Sequence, residues 1–166
     1  MAMLTARFNV VRVSVVSSNP FNVVVSRLEA PIGHPDMAAF RKDMTAARTQ
    51  ADLEKVVGAV IGPSGLMEFA RFDLGEVLRK ELGDKAPRCL RLVVGNPLIM
   101  KKMVKLVPDA GSYAPVTILI DERPDGVHLS YDSMASILAV YENQGALKVA
   151  QELDDKVEHL LMAAAG

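Results

Sequence analysis

Tryptophan is absent, cysteine occurs once and histidine three times in the 166 residues. A single thiol, Cys89, makes no internal disulfide, so neither an oxidising compartment nor a stapled scaffold is implied. His34, His128 and His159 each stand without a second His or Cys three or four residues away, the spacing that zinc sites use. Aromatic residues make up only 5% of the chain, too few for the base-stacking surface of a single-strand binder. Excess charge is missing too, since a net charge of −1 gives no electrostatic reason to expect nucleic acid or an anionic membrane. No apolar run reaches the length that crosses a bilayer, and Met1 to Arg7 lack the basic-then-apolar layout of a signal peptide. The expectation is a cytoplasmic protein with no nucleic-acid partner, no membrane partner, no metal and no cofactor.

Half of the residues are hydrophobic and 23% are charged, an ordinary globular balance. A chain of this length makes one domain and buries roughly 70% of its unfolded surface without a staple. Arg7 to Val16 reads as a strand, with Val11, Val13 and Val15 on one face. Asn19 suits a helix N-cap and Pro20 a first helical position, which predicts a helix over residues 20–30. Met37, Phe40 and Met44 line a second helix that Asp36 caps, and a third begins at Asp52. Residues 34–61 thus read as a helical insertion, too short to own a core.

Leu66 to Phe72 reads as a strand, and Leu74 to Leu82 as either a short helix or an extended loop. Arg88 to Val94 is a clear strand, after which Gly95-Asn96-Pro97 turns the chain into a helix with Ile99, Met103, Leu106 and Val107 inward. Val116 to Asp121 and Val127 to Tyr131 alternate around the Pro124-Asp125-Gly126 turn of a hairpin. Asp132 or Ser133 caps a further helix. The last helix turns Ala146, Val149, Leu153, Val157 and Leu160 inward, with Gln151, Asp154, Asp155 and Glu158 toward water.

Leu92-Val93-Val94-Gly95-Asn96-Pro97 and Val127-His128-Leu129-Ser130-Tyr131-Asp132, in this order, resemble the bacterial and archaeal domain of unknown function 302, DUF302. The resemblance covers roughly residues 5–32 and 63–163. It implies an α+β fold: a curved antiparallel β-sheet with helices packed on one face, similar to the TATA-binding-protein-like architecture, here with the helical insertion added. It also implies a homodimer, and no established activity. Two departures are the segment from His34 to Ile61 and a first helix, Phe21 to Leu28, that is more apolar than the family's.

The candidate site follows from one geometric expectation: the helix start at Gly95 lies beside the polar tip of the returning strand. Free amides at a helix start hold an anion, Gly95 permits close approach and Lys101 adds charge. Against this, Asn96 and Pro97 are fully explained as a cap and a first turn. Ser130, Tyr131 and Asp132 sit at a strand end, where Tyr131 donates to a ligand and Asp132 orients it, or where Tyr131 is buried and Asp132 caps. Gly95, Asn96, Lys101, Ser130, Tyr131 and Asp132 therefore form the expected lining for a small anionic or amphipathic ligand.

Whether the chain is an enzyme stays open. One alternative is catalysis on a small metabolite with Tyr131 or Asp132 as acid or base. Another is an interaction module that presents the helices of residues 36–57. Cys89 beside Arg88 is either a reactive thiol or a small core residue. Glu68, Asp73, Glu76 and Asp121 are acidic candidates that no spacing brings together. Gly62-Pro63-Ser64-Gly65 lacks the Lys-Ser/Thr of a phosphate loop and reads as a tight connection.

Overall fold

A computed structural model of the chain describes Met3 and residues 5–166. The reading of Met1, Ala2 and Leu4 as part of a start without a signal peptide lies outside the described residues. Five antiparallel strands form one sheet in the order β1-β5-β4-β3-β2. They are β1 (Arg12–Ser17), β2 (Met67–Asp73), β3 (Cys89–Gly95), β4 (Val116–Arg123) and β5 (Gly126–Asp132). Helices α1 (Phe21–Glu29), α5 (Pro97–Val104) and the 22-residue α7 (Gln144–Ala165) cover one face. The α+β class expected from the sequence is the class observed.

Period-2 alternation sets which face is covered. Leu90, Leu92 and Val94 of β3, Val116, Ile118 and Ile120 of β4, and Val127, Leu129 and Tyr131 of β5 are all buried in one core with Val24, Leu28, Val157 and Leu161. The intervening residues Arg91, Val93, Thr117, Leu119, Ser130 and Asp132 lie on the other face. Burying Leu28 or Leu161 completely stabilises by about 2 kcal/mol each.

Helices α2 (Met37–Ala46) and α3 (Gln50–Gly58) build a small second cluster, in which Phe40 and Val57 pack on Met67. Asp36 caps α2 as expected, accepting from the Ala38 and Ala39 amides. Thr49 and Asp52 form a capping box on α3, so that helix starts two residues before Asp52. The connection back to β2 is tight. A Cβ at Gly33 would lie 1.9 Å from the Val60 carbonyl oxygen, and one at Gly62 would lie 2.4 Å from that of Pro31.

Several local expectations are corrected, and two left open are resolved. β1 begins at Arg12, not Arg7. Asn19 does not cap α1; its side-chain amide donates to Ser17 Oγ and to the Ala165 carbonyl, tying the end of α7 to β1. Residues Leu74–Leu82 form a true helix, α4, capped by Asp73. Leu106 is exposed, because the chain leaves α5 at Val104. Ser133, not Asp132, caps the short helix α6 (Met134–Leu138). Asp154 is not in water: it is 6% exposed and faces the core.

Candidate functional site

Strands β3 and β5 run in the same direction with β4 between them, so Gly95 and Asp132 leave the sheet at one end. The two motifs are two strand spacings apart, roughly 10 Å. Residues Ala114, Pro115 and Val116 enter β4 between them and separate two cavities.

The first cavity is a cup of about 590 Å³ on the open face of the sheet. Val93 and Leu119 give it an aliphatic floor; Ser130, Thr117, Asp132, Arg12, Arg91 and Tyr113 surround them. Arg12 holds Asp132 through two bonds, Nε to Oδ1 at 2.7 Å and Nη2 to Oδ2 at 2.8 Å. That bidentate grip keeps the Asp132 carboxyl below its ordinary range. Arg91 lies over the Phe72 ring, 5.5 Å from its centre, and among the described residues no carboxylate pairs with it. Cup charge therefore comes to one cation in excess, on Arg91.

Tyr131 borders the cup, but its side chain points to the opposite face. Its hydroxyl donates to Asp154 Oδ1 at 2.6 Å. Burial, then the Asp154 charge, push the phenol well above its usual value. Asp154 also accepts from Ser133 Oγ at 2.5 Å, from the Met134 amide at 2.8 Å and from the Ala135 amide at 3.0 Å. A carboxylate from α7 thus caps α6 across the core, with each oxygen holding two donors. Sequence reasoning missed this group. The signal was there, because Asp154 falls on the stripe of Ala150, Val157 and Leu161, four residues after the first and three before the second.

The second cavity, about 190 Å³, lies between sheet and helices and is lined by Phe40, Met44, Phe69, Met100, Met103 and Leu153 around Gly95 and Asn96. Its lining is apolar because the helix start is already satisfied. Asn96 Oδ1 accepts from the Leu98 amide at 2.8 Å, its Nδ2 donates to the Gly65 carbonyl at 2.8 Å, and Pro97 has no amide proton. Gly95 does allow close approach, but to Pro115, whose Cβ would be 3.1 Å from an added Cβ. Lys101 borders neither cavity; its ammonium meets Gln50 of α3.

The expected lining is therefore divided. Ser130, Tyr131 and Asp132 border the cup, Gly95 and Asn96 border the apolar cavity, and Lys101 stands apart. Most of the remaining candidates hold structural partners. Glu68 pairs with Arg71, Asp73 with Arg79, Asp121 with Arg123 and His128 with Asp125. The Cys89 thiol is half-buried, and burial with the charges of Asp121 and Asp73 raises its pKa, the reverse of activation. Among the described residues no three His, Cys, Asp or Glu side chains are grouped to hold a metal, and no helix is long and apolar enough to cross a membrane.

With this geometry in view, the family model described as "Domain of unknown function DUF302" matches residues 40–164, well over half of the chain. The chain belongs to the DUF302 family. The match begins inside α2 and runs into the last turn of α7. The DUF302 fold is shared with a solved structure, that of an uncharacterized conserved DUF302 protein from Bacillus stearothermophilus. The two superpose with a TM-score of 0.64 at 12% identity, covering 92% of this chain and 97% of the other. That likeness is one of fold. No curated protein matches the chain.

Proposed function

We propose that this DUF302 chain is a cytoplasmic, homodimeric module that holds a small amphipathic anion in the open-face cup. The observation that carries the reading is Arg91, a guanidinium at the wall of an aliphatic-floored cup and without a carboxylate partner among the described residues. A carboxylate or similar head group pairs with Arg91 and accepts from Ser130 and Thr117, while its apolar body covers Val93 and Leu119. The single half-buried thiol supports a reducing compartment. Tyr131 is not the acid or base of this reading, because its hydroxyl is held by Asp154 on the far side of the strand.

Titration calorimetry with hexanoate and hexanol tests it. Hexanoate binds the native chain, and Arg91→Gln weakens that binding about tenfold, the loss of one charge-assisted contact. Hexanol binding is the same in both proteins. Equal hexanoate binding by the variant, or none by the native chain, removes the assignment.

A further inference from the structure

The smaller cavity, about 190 Å³, takes no part in the cup and is walled on one side by the helical insertion. Its floor is deep: Met103, Val116 and Leu153 are each at most 4% exposed. Met44, Phe69 and Met100 are half-buried, so the cavity opens on their side. Phe69 stands there because β2 carries a bulge. Glu68 pairs with Val94 and Ala70 with Val93, which leaves Phe69 as the extra residue of its strand. Its ring meets that of Phe40 edge-on, with centres 6.5 Å apart. Met44 lies one turn after Phe40 on α2 and completes this wall.

The space offers little to a water or to a charge. Asn96 is the one polar side chain among its lining residues, and both ends of its amide are engaged: Oδ1 accepts from the Leu98 amide and Nδ2 donates to the Gly65 carbonyl. Among the described residues no lysine, arginine or histidine lines it. A buried water needs several polar partners, so a space lined this way stays dry and accepts an apolar molecule without displacing solvent. A dry cavity of roughly 150 Å³ takes one benzene. The thioether chains of Met44, Met100 and Met103 are flexible, and their sulfurs make favourable contacts with aromatic rings.

We propose that this cavity binds one uncharged single-ring hydrocarbon of about six to eight carbons, free in solution and not the tail of an anion. The site is independent of the cup. The cup's charge is on Arg91, and Ala114 to Val116 stand between the two spaces.

Nuclear magnetic resonance of the methionine methyl groups in the full chain, with toluene as the ligand, tests the proposal. Toluene shifts the methyl signals of Met44, Met100 and Met103 through its ring current and leaves that of Met162, on the exposed side of α7, in place. Benzoate, the same ring with a charge, leaves all three unmoved. Met44→Trp fills the space and weakens toluene binding at least about tenfold, with circular dichroism to confirm that the variant is folded. Met44→Ala enlarges the space and admits naphthalene, which the native chain rejects. Arg91→Gln binds toluene as the native chain does, so a failed cup leaves this site standing. Absence of shifts at the three methyls in the native chain overturns the site. Equal shifts from benzoate overturn its uncharged class. A folded Met44→Trp chain that binds toluene as tightly as the native one, or a Met44→Ala chain that rejects naphthalene, overturns the placement against α2.

Discussion

Helices α7 and α4 both carry an apolar stripe at three- and four-residue steps, and the fold uses them in opposite ways. α7 buries Ala146, Ala150, Leu153, Val157 and Leu161 against the sheet and α1. It draws in even Asp154, since Tyr131, Ser133 and two amides of α6 supply four hydrogen bonds to its carboxylate. α4 leaves Leu74, Val77, Leu78 and Leu82 between 37% and 70% exposed. The stripes do not differ in kind; the connections do. α7 spans 22 residues and follows the last strand, so it is free to lie across the whole sheet. α4 links β2 and β3, which are hydrogen-bonded neighbours, and a link between adjacent antiparallel strands is held at the sheet's end. An amphipathic pattern therefore specifies that a face will be covered. Chain connectivity specifies whether the same molecule can cover it.

The contrast is sharpest at Asp154. Asp154→Ala strands four donors in the core and costs about 4 kcal/mol in urea denaturation. A loss below about 1 kcal/mol would mean that water replaces the carboxylate, and that α7 is not anchored by its polar group. Next in size is a matched pair. Leu161→Ala costs about 3 kcal/mol, because a fully buried side chain leaves a cavity. Leu78→Ala changes the stability of the dilute chain by less than about 0.5 kcal/mol. Equal losses at the two leucines would erase the distinction between the helices.

Smaller than the losses at Asp154 and Leu161 is the effect at Tyr131. Tyr131→Phe costs about 2 kcal/mol at neutral pH through the lost bond to Asp154. In the native chain, burial and the Asp154 charge raise this phenol above its ordinary value of 10.0. Its contribution is therefore complete below pH 10.0 and is lost as the pH rises past it. Tyr131→Phe lacks that alkaline loss, so the two stability curves converge above pH 10.0. Parallel curves would show that the hydroxyl is not held as a neutral donor.

Most of the strand and helix positions were legible because alternation along Leu90, Leu92 and Val94 or Val116, Ile118 and Ile120 reports one covered face directly. Caps at Asp36 and Asn96 were legible for the same local reason, since a side-chain oxygen beside free amides needs no distant partner. Asn19 was misread because its amide goes to Ala165, at the other end of the chain. Asp132 was misread as a possible cap because its partner, Arg12, lies on a strand that pairs from far away in sequence. The candidate lining held together along the chain but divided in space. Pro115 sits between the two motifs, and alternation turns Ser130 and Tyr131 to opposite faces of the same strand.

By itself the sequence determined most of the elements and their buried faces, because these follow from periodicities of two and of about 3.6 and from short-range capping, while the α+β class came through the family resemblance. It also carried the motifs that mark the family. Tertiary structure alone decided which donors meet the Asp154 carboxylate, that Arg91 overlooks a cup, and that α4 keeps a half-exposed apolar face. Each of those depends on which distant strand or helix becomes a neighbour, and contact between remote segments is set by packing and chain connection, which no local pattern records.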